Sequence, residues 1–214
     1  MSLISMCSNL GIITKMVFLY QFIISIISIK IIIKHTKNIK NNHMLDDNFK
    51  KQFWSGANLI NLQKKNQNNR NVKAPLAKIF EAGMIEFTKT NLSNNNAPKN
   101  SERAMKSMVD NEIKVLNKLP RILYLLISSS YYVGMLGVLY KSLGIAIPYM
   151  TSVTIDVFID NILESILLII ITIIFTFPFE IAYKHINDMI YDYLREFNIF
   201  IKEFINILER QKNN

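Results

Sequence analysis

The stretch ILESILLIIITIIFTFPF, Ile162 to Phe179, is almost wholly aliphatic and aromatic, broken mainly by Glu164, Ser165, Thr172, Thr176 and Pro178. A helix needs about 18 to 20 such residues to cross the hydrocarbon of a bilayer, so this run is long enough to span one. Two further runs lie upstream. Met16 to Ile33 is apolar apart from Gln21, a few serines and Lys30, whose stem can lie along lipid while its ammonium reaches the headgroups. Ile122 to about Tyr140 carries Ser128, Ser129, Ser130, Gly134 and Gly137, and follows Pro120, a residue suited to a helix start. The expected fold is an all-α integral membrane protein with transmembrane helices over 13–33, 120–142 and 161–179.

Composition agrees. Half of the residues are hydrophobic and only 19% are charged, below the quarter usual in soluble proteins. The net charge of +9 raises the question of a nucleic-acid partner, and the placement of the charges answers it in favour of the membrane. Most of the 25 Lys and Arg residues lie between the first and second runs, with Lys34, Lys37, Lys40, Lys118 and Arg121 close to the span ends. The connection 143–160 has none and carries Asp156. By the positive-inside rule the region 34–119 and the tail 180–214 are cytoplasmic, and the N-terminal residues 1–12 and the connection 143–160 are periplasmic.

Motifs for chemistry are missing. There is no phosphate-cradling Gly-rich loop, no His-Glu-x-x-His and no Gly-x-Ser-x-Gly. Cys7 is the sole cysteine, and His35, His43 and His185 lack metal-ligand spacing. An enzyme is not expected, nor a cofactor or metal. The first run lacks a small-residue exit and ends in Lys34, His35, Lys37 and Lys40, so it reads as an uncleaved anchor.

From Lys34 to Leu119 apolar residues recur at helical spacing: Leu59 and Leu62, then Leu76, Phe80, Met84 and Phe87, then Met105, Met108, Ile113 and Leu116. The stretches Asn66 to Asn71 and Asn91 to Asn100 read as loops, with Pro98 and Ser101 placed to start the next helix. After Pro178 a stripe of Ile181, Ile186, Ile190, Leu194, Phe197, Ile201, Phe204 and Leu208 runs down a long helix. It needs a partner surface, either the helices of the middle segment or another copy of itself. Trp54 reads as a core anchor or an interfacial aromatic.

An ordered set of segments carries a resemblance. Phe53-Trp54-Ser55-Gly56 with Leu59, Ile79-Phe80-x-Ala82-Gly83-x-x-Glu86-Phe87, Asn96-Ala97-Pro98 and Glu102-Arg103-Ala104-Met105 are followed by Tyr132-Val133-Gly134-x-x-Gly137, Pro178-x-x-x-Ala182-Tyr183 and Glu203-Phe204-x-x-Ile207-Leu208-x-Arg210-Gln211. Nearly end to end, the chain resembles the TolQ family of the Tol-Pal system, within the TolQ/ExbB/MotA superfamily. The resemblance implies a place in a bacterial inner membrane, long helices, a homo-oligomer of five copies around a pore, and a dimer of a TolR-like single-span protein inside it. The pair would be a proton-driven motor, and a TolA-like protein would convey its work to the outer membrane at division. The proton-carrying aspartate would belong to the partner, and Glu164, fourteen residues before Pro178, falls at the family's third-span Glu.

The chain departs from that pattern at Val138 and Ile169, where the family usually has Thr, and at Ile170, Thr172 and Phe175, where it has small residues. The candidates for an ion pathway are therefore Glu164, Thr172, Thr176, Ser128 and Ser130. Asp156, Asp160 and Glu164 share one helix face, which suits a pore or vestibule, although a carboxylate near a span end can also simply reach the headgroups. Thr172 and Thr176 either line a path or bond their own helix's carbonyls. Gly134, Gly137 and Pro178 are read as helix-packing positions. Two alternatives remain: an ExbB-like subunit energising outer-membrane uptake, and a non-conducting membrane scaffold.

Overall fold

The computed structural model describes residues 11–56, 58–68, 74–90, 96–146 and 155–213; Cys7, Asn91 to Asn95 and residues 147–154 of the connection 143–160 lie outside them. All regular structure among the described residues is helical: α1 (Ile12–Trp54), α2 (Leu59–Asn68), α3 (Pro75–Thr90), α4 (Ala97–Leu116), α5 (Lys118–Ala146) and α6 (Ile155–Asn213). Three of the helical stretches are long and apolar enough to cross a membrane, one in α1, one in α5 and one in α6.

Local chemistry sets the ends. With no Gly or Pro between Ile12 and Trp54, nothing interrupts α1 for 43 residues, until Gly56 turns the chain at φ +79°. The Asn-rich stretch gives way to helix earlier than its composition suggests. Asn100 N–H already donates to Asn96 O, and Pro98 sits in the first turn, where its missing N–H costs nothing. Helix α6 runs unbroken for 59 residues through Pro178. That proline leaves the Ile174 carbonyl without its helical donor, a loss that spanning helices tolerate.

The chain forms two compact units, one of Met1–Ile33 with Leu119–His185 and the other of Lys34–Lys118 with Ile186–Asn214. The second unit is built around a buried aromatic core. Phe49, Phe53, Phe80, Phe200 and Phe204 interlock with ring centroids 5.1 to 6.3 Å apart, and Leu76, Ile79, Met105, Ile201 and Leu208 pack around them. Burying aromatic area of this kind is the largest stabilising term available to so small a unit. The α6 stripe thus finds its partner in the middle-segment helices of its own chain. Only its first residue, Ile181, is exposed, and Leu194 is half-buried. Trp54 is exposed against the edge of Phe53, and so is no core anchor. Gly83 allows α3 and α4 to approach: a β-carbon there would lie 2.7 Å from the Met105 side chain, and the Gly83 carbonyl accepts the Ser101 hydroxyl at 2.5 Å.

One carboxyl is sealed within this unit. Asp46 of α1 is fully buried, accepts the Leu76 N–H at the start of α3 (2.8 Å) and accepts the Tyr193 hydroxyl of α6. Burial pushes its pKa up to about 6, outweighing the opposite pull of these two hydrogen bonds and of Lys50 and His43. Burial and the adjacent Asp46 push the Tyr193 phenol upward too.

Candidate functional site in the spanning bundle

Seven small or amide side chains of the spanning unit face inward. On α1, Thr14, Gln21, Ser25 and Ser28 recur at helical spacing and are all buried, as are Ser130 of α5 and Thr172 and Thr176 of α6. The outer surface is apolar, with Phe22, Ile23, Leu136, Ile170 and Ile174 among its exposed side chains. This is the distribution that lipid demands, because a polar group facing hydrocarbon loses its hydrogen bonds.

Most of these buried groups have an identifiable partner; the Ser28 hydroxyl has no hydrogen bond among the described residues. The Gln21 amide donates to the Ser130 carbonyl at 3.0 Å, and its oxygen accepts the Ser130 hydroxyl, so one side chain ties α1 to α5 twice. Ser25 donates to the Gln21 carbonyl (2.8 Å), Thr172 to Leu168 O (2.8 Å) and Thr176 to Thr172 O (2.7 Å). Both threonines thus bond their own helix and lie inside the bundle. Ser128 is half-buried, and its neighbour Ser129 donates to Leu126 O. The glycines make room: a β-carbon at 134 would come 2.7 Å from Thr172 Cγ2, and one at 137 would come 3.2 Å from Val17 and 3.3 Å from Leu168. Pro178 is exposed on α6.

Glu164 is the most heavily engaged of the sequence candidates. Its carboxylate is 2.6 Å from the Lys141 ammonium, accepts the Thr14 hydroxyl at 2.7 Å and accepts the Gly11 N–H at 3.2 Å. Asp160 is exposed, and the Asp156 side chain lies outside the described residues. Sequence reasoning missed Lys141, Thr14 and Gly11. The available signal was an ionisable Lys inside the predicted second span, a position where a partner is the rule.

Val138 and Ile169 also come together. With Tyr131, Gly134, Met135, Thr172 and Ile173 they line a groove of about 300 Å³ between α5 and α6. Of its polar atoms, the Thr172 hydroxyl is committed to its own helix and the Tyr131 hydroxyl donates to Glu180 at 3.1 Å. The groove therefore offers little to stabilise a passing ion. Among the described residues there is no cluster of three side chains suited to hold a metal.

No family model matches the chain. The Tol-Pal system protein TolQ of Haemophilus influenzae is 26% identical over 207 residues, which cover 94% of this chain and 91% of that protein. Similarity to that protein runs almost from end to end, and three of the described helices are long and apolar enough to cross a bilayer, so the chain resembles TolQ as a membrane protein with three spans.

Proposed function

We propose that the chain is the ring-forming subunit of an inner-membrane motor driven by the proton-motive force, working with a TolR-like single-span partner and a TolA-like protein to maintain the outer membrane and constrict it at division. The observation that carries this reading is similarity to a Tol-Pal system protein along nearly the whole chain. The spanning unit supports it. Its apolar outer faces suit lipid on one side and further copies of the same chain on another. The lysines at 34, 37, 40 and 118 favour an N-terminus in the periplasm and a C-terminus in the cytoplasm.

A second reading, a scaffold that assembles with the same partners but passes no ions, is favoured by the apolar groove at Val138 and Ile169. Two measurements separate the possibilities. Deleting the gene should make cells leak periplasmic protein and form chains of undivided cells, and unchanged integrity and division would remove the Tol-Pal role altogether. In vesicles holding the chain with a single-span partner encoded beside it, the motor predicts partner-dependent proton flux. Assembly without flux would leave the scaffold standing.

A further inference from the structure

Glu164 lies where a carboxylate can do three things at once. Gly11 immediately precedes the first residue of α1, and its N–H is one of the donors that a helix start leaves without an internal acceptor. The Glu164 carboxylate of α6 accepts that N–H and the hydroxyl of Thr14, one turn along. It thus caps α1 from another helix, where the positive end of the helix dipole also favours an anion. Lys141 of α5 supplies the counter-charge at 2.6 Å.

The site leaves little room for anything else. The side chains of Lys141 and Glu164 are only 12% and 18% exposed. A β-carbon at position 11 would fall 2.8 Å from the Lys141 ammonium and 3.2 Å from the Glu164 carboxylate, so the absence of a side chain there lets the backbone reach the pair. In a site so short of water, an ion pair is strongly coupled, and neutralising one member strands the other.

From this geometry we infer that Lys141 and Glu164 form a standing ion-pair staple that fixes the start of α1 against α5 and α6. Lys141 is a positioning residue: it holds Glu164 ionised as the α1 cap, and the carboxylate does not load and release protons. The inference about proton carriage rests on the motor reading; the staple itself does not.

The test uses the full-length chain in detergent or nanodiscs, with Lys141→Met, Glu164→Gln, the double variant and Lys141→Arg, read by thermal loss of helix and by cellular outer-membrane integrity. Gln at 164 keeps an oxygen for Gly11 and Thr14, and Met at 141 keeps the length of the chain. Each neutralising single change should lower the folded-to-unfolded ratio by at least about tenfold, while the double variant recovers most of that loss. Lys141→Arg should stay close to the parent. Integrity should fall with the singles and return with the double. Additive single losses would overturn the staple. A double variant that is as stable as the parent and yet fails to support integrity would show that the carboxylate itself is needed, overturning the exclusion from proton carriage. If deleting the whole gene leaves integrity intact, the motor reading fails, and the thermal arm alone still decides the staple.

Discussion

Each unit contains a carboxylate that caps a helix start from a distant helix, and the two are neutralised in opposite ways. Glu164 caps α1 in the spanning unit and is held by an ammonium. Asp46 caps α3 in the other unit and is held by a neutral phenol, while nearby Lys50 pairs with Glu196 at 2.8 Å. In a bundle surrounded by lipid, a charge must bring its counter-ion with it. In the other unit the same need can be met by taking up a proton, which is what the raised pKa of Asp46 expresses. The cores follow the same division. Polar hydroxyls and an amide lie inside the spanning bundle, whereas the other unit is filled with phenylalanines.

The strongest way to break the contrast is to empty the aromatic core. Phe204 is fully buried against Phe53, Phe80 and Phe200, so Phe204→Ala should cost about 3–5 kcal/mol. Ile174→Ala, on a surface that meets lipid or detergent whether or not the bundle is folded, should cost little by comparison. Urea unfolding in mild detergent would check both, and a small Phe204 effect would mean that the core lies elsewhere.

Next in size is the proton on Asp46. Its folded pKa, about 6, lies above the ordinary 3.8. The native state therefore binds more protons than the unfolded chain between those values. The resulting stability is fully present below about 4 and is lost as pH rises through about 6, on the order of 3 kcal/mol in all. Hydrogen exchange at α3 measured from pH 4 to 7.5 should show that loss, and Asp46→Asn should flatten it. An equal slope in the variant would assign the pH dependence to another group.

Smaller effects probe the spanning bundle. Gly134→Ala places a methyl against Thr172 and should cost about 1–3 kcal/mol through overpacking. Thr172→Ala in the same chain should recover part of it, as measured by thermal aggregation in detergent. Gln21→Leu should cost only about 1 kcal/mol, since interhelical hydrogen bonds in membranes are individually modest. Combined with Ser130→Ala, which removes the hydroxyl left without its acceptor, the total should stay well below the Phe204→Ala loss.

Much of this protein is written locally. The run Ile162 to Phe179 is apolar enough to require hydrocarbon, and the spacing of Leu76, Phe80, Met84 and Phe87 marks one face of a helix, because length and periodicity depend only on neighbours along the chain. Glu164 stood out for the same reason, as a charge inside an apolar run. The sequence left open whether the stripe from Ile186 to Leu208 meets its own chain or another copy, and it gave no sign that Gln21 seeks Ser130 or that Asp46 seeks Tyr193. Those partners lie more than a hundred residues apart, and only the packing of helices brings them within hydrogen-bonding distance. The residue types fixed which segments avoid water. Tertiary structure chose the partners of Gln21, Asp46 and Glu164, because a buried group that its own helix does not satisfy must find its partner in whichever helix lies beside it.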